Sequence, residues 1–173
     1  MVIGLIEIGI SGLLLSVIFG QSKDSRWDIF RHDLSMLGSR RNGNGMKGSK
    51  IYCSDKPELF NISLGITGVG FFDLHTPLYT VAAVILIFMA IVDVGTNQPI
   101  HIALAALLGV IMIIISINEL LQGKWFFPSL VLASMLIYIS RFVWSNLQYS
   151  LNTSIFQKIS VGTFLIHNIR LFG

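Results

Sequence analysis

Charge is scarce in this chain: only 12% of its 173 residues are Asp, Glu, Lys or Arg, about half the roughly 25% usual in soluble domains. Cysteine is nearly absent too. Cys53 is the single one, which excludes an intrachain disulfide and any multi-cysteine metal site. The first 20 positions hold no Lys or Arg, carry Glu7, and end in bulky Val17-Ile18-Phe19 before Gly20. A cleavable signal peptide has a basic start and a small-residue cleavage site, so this stretch is expected to be retained as a first helix. Also missing are a nucleophile elbow, a phosphate loop and a nucleotide fingerprint.

Long apolar runs are what the chain does have, within a 53% hydrophobic composition. Residues 59–93 carry almost no charge, and four further runs cover 1–20, 100–117, 126–144 and 155–172. A hydrocarbon core about 30 Å thick takes about 20 helical residues, so 59–93 is too long for one crossing. It is expected to fold back at Asp73-Leu74-His75-Thr76-Pro77. The expected fold is all-α: a polytopic membrane bundle with spans near 1–20, 59–75, 78–94, 100–117, 126–145 and 155–172. A polar, basic loop, 21–58, follows the first span, and the whole of 1–173 forms one integral membrane domain.

Eight of the 12 basic residues (Lys23, Arg26, Arg31, Arg40, Arg41, Lys47, Lys50 and Lys56) fall in that loop. Beside a membrane such a segment is read as a face for anionic lipid headgroups rather than for nucleic acid. Arg141 and Lys158 join the loop's side, leaving Lys124 and Arg170 opposite. The positive-inside rule then puts the loop in the cytoplasm, with the plasma membrane as the expected location. Within the loop, Trp27, Phe30, Leu34 and Leu37 recur at helical spacing among charged residues, which predicts an interfacial helix over 24–37. Gly65, Gly68 and Gly70, with Ser63 and Thr67, form a small-residue surface where another helix can come close.

Ionisable residues at the centre of a span cost about 2.5–3.5 kcal/mol, so each one raises a functional question. Depth sorts them into two groups. Asp93, His101 and Arg141 fall on the loop's side with Asn61, and Asp93 and Arg141 suit an ion pair. Asp73, His75, Glu119, His167 and Arg170 fall on the other. His75 and His167 share a side, but a bis-histidine haem arrangement has no second pair to support it. A zinc site needs three ligands and an open position, and Asp93, His101 and His32 are the nearest set. The expectation is therefore no metal and no cofactor other than a bound lipid.

Leu34-Ser35-Met36-Leu37-Gly38 after the first run, Phe60-Asn61-Ile62-Ser63-Leu64 opening the second, and His101 with Ala103 and Ala105 opening the fourth together carry a resemblance. The chain resembles a widespread family of uncharacterised six-helix membrane proteins with S-x-L-G and F-N-x-x-L segments, related in layout to the DRAM- and Sfk-type membrane proteins. The resemblance implies a six-helix fold and Ser35, Asn61 and His101 as matched positions; it implies no settled activity. The chain departs from the family in its loop, because relatives carry their basic residues near the N-terminus and after helix 2.

The expected site is a cluster of Ser35, Asn61, Asp93, His101 and Arg141 at one depth, which either docks the loop on the bundle or binds a ligand. No catalytic residue is expected. The leading functional expectation is a non-catalytic integral membrane subunit that packs against larger membrane partners. A lipid-binding or lipid-modifying protein with a headgroup-level pocket is the alternative, and a small transporter the second.

Overall fold

The computed structural model describes residues 2–20, 34–38, 56–72, 76–92, 97–143 and 154–172. Among these the protein is all-α, with six α-helices and no strand. The helices are α1 (Val2–Gly20), α2 (Pro57–Phe72), α3 (Pro77–Ile91), α4 (Gln98–Leu121), α5 (Phe126–Val143) and α6 (Ser154–Phe172), with a 3-10 turn at Leu34–Gly38 between α1 and α2.

Proline marks where helices begin. The chain has four prolines, and all lie in first turns: Pro57 and Pro77 open α2 and α3, Pro99 is second in α4, and Pro128 is third in α5. A first-turn N–H has no acceptor inside its own helix, so proline forfeits no hydrogen bond there. Asn97 adds a side-chain cap to α4, accepting from the Ile100 N–H at 3.3 Å, the Ncap-to-N3 bond that favours Asn at this position. The same helix ends at Gly123, whose φ of +83° lies in the left-handed region open to glycine. Gly123 N–H donates to the Leu120 carbonyl at 3.0 Å and Lys124 N–H to the Glu119 carbonyl at 3.1 Å, closing the helix with a Schellman pair.

The helices follow the apolar runs, with one consequential shift. α4 continues to Leu121, four residues past the expected end at 117, because the polar pair Asn118-Glu119 continues the helix. At 24 residues it is about 36 Å long at 1.5 Å per residue, and it is long and apolar enough to cross a membrane. Gly4–Phe19, Pro77–Ile91 and Phe126–Ser140 are shorter apolar helices. Of the helix expected over 24–37, only 34–37 are described; they belong to the five-residue 3-10 turn, and 24–33 lie outside the described residues.

The chain divides into two compact units, the boundary falling within α4 after Leu108. In the first, α2 packs on both α1 and α3, and its small residues split between two faces rather than forming one. Ser63, Thr67 and Gly70 meet α1: a Cβ on Gly9 would lie 2.8 Å from the Thr67 nitrogen, one on Gly12 2.9 Å from the Ser63 Cβ, and one on Gly70 2.6 Å from Ile6 Cγ1. Gly65 and Gly68 meet α3, where a Cβ on Gly68 would lie 2.9 Å from Ile87 Cγ1 and 3.0 Å from the Ala83 carbonyl. The hydroxyls at the α1 face spend their hydrogen bonds inside α2, Ser63 on the Leu59 carbonyl at 2.6 Å and Thr67 on the Ser63 carbonyl at 2.8 Å. Close packing there leaves both hydroxyls with a hydrogen-bond partner.

In the second unit α5 packs on α6. Phe127 near the start of α5 stacks on His167 near the end of α6, and Gln157 Nε2 near the start of α6 donates to the Tyr138 hydroxyl, nearer the end of α5, at 3.3 Å. The two helices are therefore antiparallel. Gly109 of α4 admits the Met135 side chain of α5, whose Cε would be 3.8 Å from a Cβ there.

Candidate functional site

Of the five side chains expected to cluster, those of Asn61 and His101 are described, and each bonds a backbone carbonyl. Asn61 is buried in the second turn of α2, and its Nδ2 donates to the Gly38 carbonyl at 3.1 Å. Leu37 beside it has no exposed surface. Gly38 is pressed against this helix start, where a Cβ would come within 2.9 Å of Phe60 Cδ1 and closer still to Asn61 Oδ1. The Leu-Ser-Met-Leu-Gly and Phe-Asn segments, separate in the sequence, thus seat on each other. Glycine is needed at 38 because the amide occupies the space of a side chain.

His101 sits in the first turn of α4, 2% exposed. Its Nδ1 lies 2.7 Å from the carbonyl oxygen of Val92; a carbonyl can only accept, so Nδ1 carries the proton and donates. Val92 is the C-cap of α3, its own N–H bonded to the Phe88 carbonyl. The imidazole therefore satisfies the carbonyl left over at one helix end from the start of the next, and fastens α3 to α4. Asp93 and the side chains of Ser35 and Arg141 lie outside the described residues, as do Asp73, His75 and the side chain of Arg170.

A second polar site lies in the second unit. Glu119, in the last turn of α4, accepts a hydrogen bond at 2.8 Å from Nε2 of His167 on α6, and both side chains are more than nine-tenths buried. The imidazole is also stacked on Phe127, with ring centroids 5.1 Å apart and planes 26° from parallel. Carboxylate and aromatic ring together fix its orientation, and with Nε2 turned to Glu119, Nδ1 faces the other way. The adjacent Asn168 has no exposed surface, and its Nδ2 donates to the Phe164 carbonyl at 2.7 Å. Among the described residues, His167 Nδ1, Asn168 Oδ1 and Ser160 Oγ are buried with no hydrogen-bond partner. Buried polar atoms are nearly always satisfied, so three on one helix mark a place of interest.

The sequence puts Glu119 and His167 on one side of the expected topology but does not pair them with each other. Among the described residues there is no group of three or more His, Cys, Asp or Glu side chains able to hold a metal ion.

Compared with protein-family models, curated proteins and solved structures, the chain finds no match in any of the three.

Proposed function

We infer that the chain is an integral membrane protein of six spans, acting as a non-catalytic subunit that packs against larger membrane partners. One observation carries the membrane part: the outward faces of the helices are apolar. Large aliphatic side chains stand outward on every helix, among them Ile18 at 65%, Ile91 at 70%, Leu121 at 83% and Leu136 at 63% exposed, while Ser160 and Asn168 have no exposed surface. In water each such side chain forgoes about 1.5–3 kcal/mol of burial. In lipid, or against another apolar helix, the same surface carries no such cost, and contiguous apolar exteriors mark membrane or protein contact. Trp125 and Phe126, 70% and 74% exposed where α5 begins, suit the headgroup level where aromatic belts form. The shorter α2 and α3 are accommodated by local thinning of the bilayer, as undersized spans are.

The subunit role is supported by how the polar groups are used. Asn61 and His101 spend their hydrogen bonds on backbone carbonyls of this chain, holding segments together. A second reading has an observation of its own. A cleft of about 490 Å3 runs along the outward face of α2, bordered by Leu5, Gly65, Val69 and Ile91, with Glu58 and Asn61 at its α2 N-terminal end. An apolar groove with polar groups at one end matches a lipid tail and its headgroup.

Extraction in mild detergent followed by native mass measurement tests both. A stoichiometric complex with another membrane protein is the expected result. A lone monomer or dimer overturns the subunit role, and if it holds a lipid tightly the second reading takes its place.

A further inference from the structure

The three unpartnered buried atoms of the second unit share one face of α6. At 100° per residue, Gln157, Ser160, His167 and Asn168 fall within about a third of the helix circumference, and Phe164 lies among them. All five are buried or half-buried. The face is thus an interior polar stripe in a protein whose exterior is apolar. His167 Nδ1, Asn168 Oδ1 and Ser160 Oγ line it without protein partners among the described residues. Neutral Nδ1 and Oδ1 are both pure acceptors, so what completes them must bring hydrogen-bond donors. Ser160 lies two turns from His167, about 10 Å along the axis, so no single ion serves both.

Two features make His167 more than a thirsty side chain. Its imidazole presents one nitrogen to the stripe and the other, at 2.8 Å, to a carboxylate. Glu119, though buried, is three residues from Gln122, which lies in a run of exposed residues, 121–126, that turns the chain from α4 into α5. The pair therefore stands between an interior polar face and the surface.

We propose that the polar stripe of α6 and the Glu119–His167 pair form a proton relay through the second unit. The proposal rests on the membrane reading above. A hydronium on the stripe gives its proton to the lone pair of His167 Nδ1 and becomes water. The Nε2–H bond then breaks, its electrons staying on the ring and its proton passing to a Glu119 oxygen, so the imidazole is neutral again with Nδ1 protonated. Glu119 releases the proton to water at the α4–α5 turn; the imidazole keeps its proton on Nδ1, and a turn of the side chain about Cα–Cβ and Cβ–Cγ that carries Nδ1–H to Glu119 returns an open nitrogen to the stripe for the next proton. Ser160 and Asn168 order the water, and Phe127 stacks on the ring in its resting orientation. Ionisable residues inside membrane bundles serve such relays.

The test reconstitutes the full chain into liposomes, confirms by flotation that it has inserted, and reads proton uptake with an internal pH dye under a potassium diffusion potential. Wild-type vesicles are expected to take up protons faster than protein-free ones. His167→Gln keeps a donor near Glu119 and removes the second nitrogen, so its uptake should fall to the protein-free rate. Ser160→Ala, a small change that removes only the hydroxyl, should slow uptake while leaving the unfolding temperature in place. Wild-type uptake equal to that of empty vesicles, or uptake unchanged in inserted His167→Gln, overturns the relay and leaves the membrane reading standing. Protein that fails to float with the vesicles overturns both.

Discussion

Asn61 and Gly38, 23 positions apart, are joined by one buried hydrogen bond from the Asn61 amide to the Gly38 carbonyl. Without the amide that carbonyl is left buried and unsatisfied, at about 1–3 kcal/mol. Asn61→Ala should therefore lower the unfolding temperature in detergent. Asn61→Asp should do so as well, because an ionised carboxylate cannot donate. An unchanged transition in both variants would show that the turn is held by other means.

The α1–α2 contact makes a sharper comparison between glycines. At Gly9 a new Cβ meets backbone atoms of Thr67, whereas at Gly4 it meets nothing within 4 Å. Gly4→Ala should be neutral or should stabilise by up to about 0.5–1 kcal/mol through helix propensity. Gly9→Ala should destabilise despite the same gain, because backbone cannot move aside as a flexible side chain does. Thermal unfolding of the pair in one detergent reads the difference, and equal shifts would deny the close approach.

Much of the helical layout is legible in the sequence, and the reason is physical. Apolar runs bounded by Pro57, Pro77 and Pro99 can begin only as helix first turns, so α2, α3 and α4 start within two residues of their expected positions. The end of α4 is less legible, since Asn118 and Glu119 look like a return to water when Glu119 in fact turns inward. Gly65, Gly68 and Gly70 announce close packing, yet their spacing does not say which neighbour each serves. Asn61 and His101 stand out as polar residues at helix starts, but their partners, the Gly38 and Val92 carbonyls, are backbone groups that every residue carries. For Glu119, sequence depth offers His75, His167 and Arg170 alike, and only packing selects His167.

His101 permits an isosteric test. Its protonated Nδ1 donates to the Val92 carbonyl, and the Nδ2 of an asparagine at 101 would occupy nearly the same place. His101→Asn should therefore retain stability, while His101→Ala should lose about 1–3 kcal/mol through the orphaned carbonyl at the end of α3. Equal losses in the two variants would assign the role of His101 to packing alone.

The orientation expected in a membrane rests on the distribution of Lys and Arg, ten of the 12 lying on one side of the expected topology. In intact cells an impermeant thiol reagent should leave Cys53 unlabelled and should label it after permeabilisation, and Asn152 of the Asn-Thr-Ser sequon should carry no glycan. Labelling of intact cells, or a glycan at Asn152, would reverse the orientation.

The Glu119–His167 pair is best weighed by a double-mutant cycle. Glu119→Leu leaves the Nε2–H of His167 buried without its acceptor, and His167→Leu leaves a buried carboxylate without its donor. Each single change should cost about 3–5 kcal/mol, the penalty of an abandoned buried partner. Replacing both removes both orphans, so the double variant should cost less than the sum of the singles, with a coupling of about 0.5–3 kcal/mol. Thermal unfolding of the four proteins in one detergent measures it. Additive losses would mean the 2.8 Å contact contributes nothing of its own. A double variant as stable as wild type would require a coupling as large as the two single losses together, and would mean that the pair as a whole adds nothing to the fold.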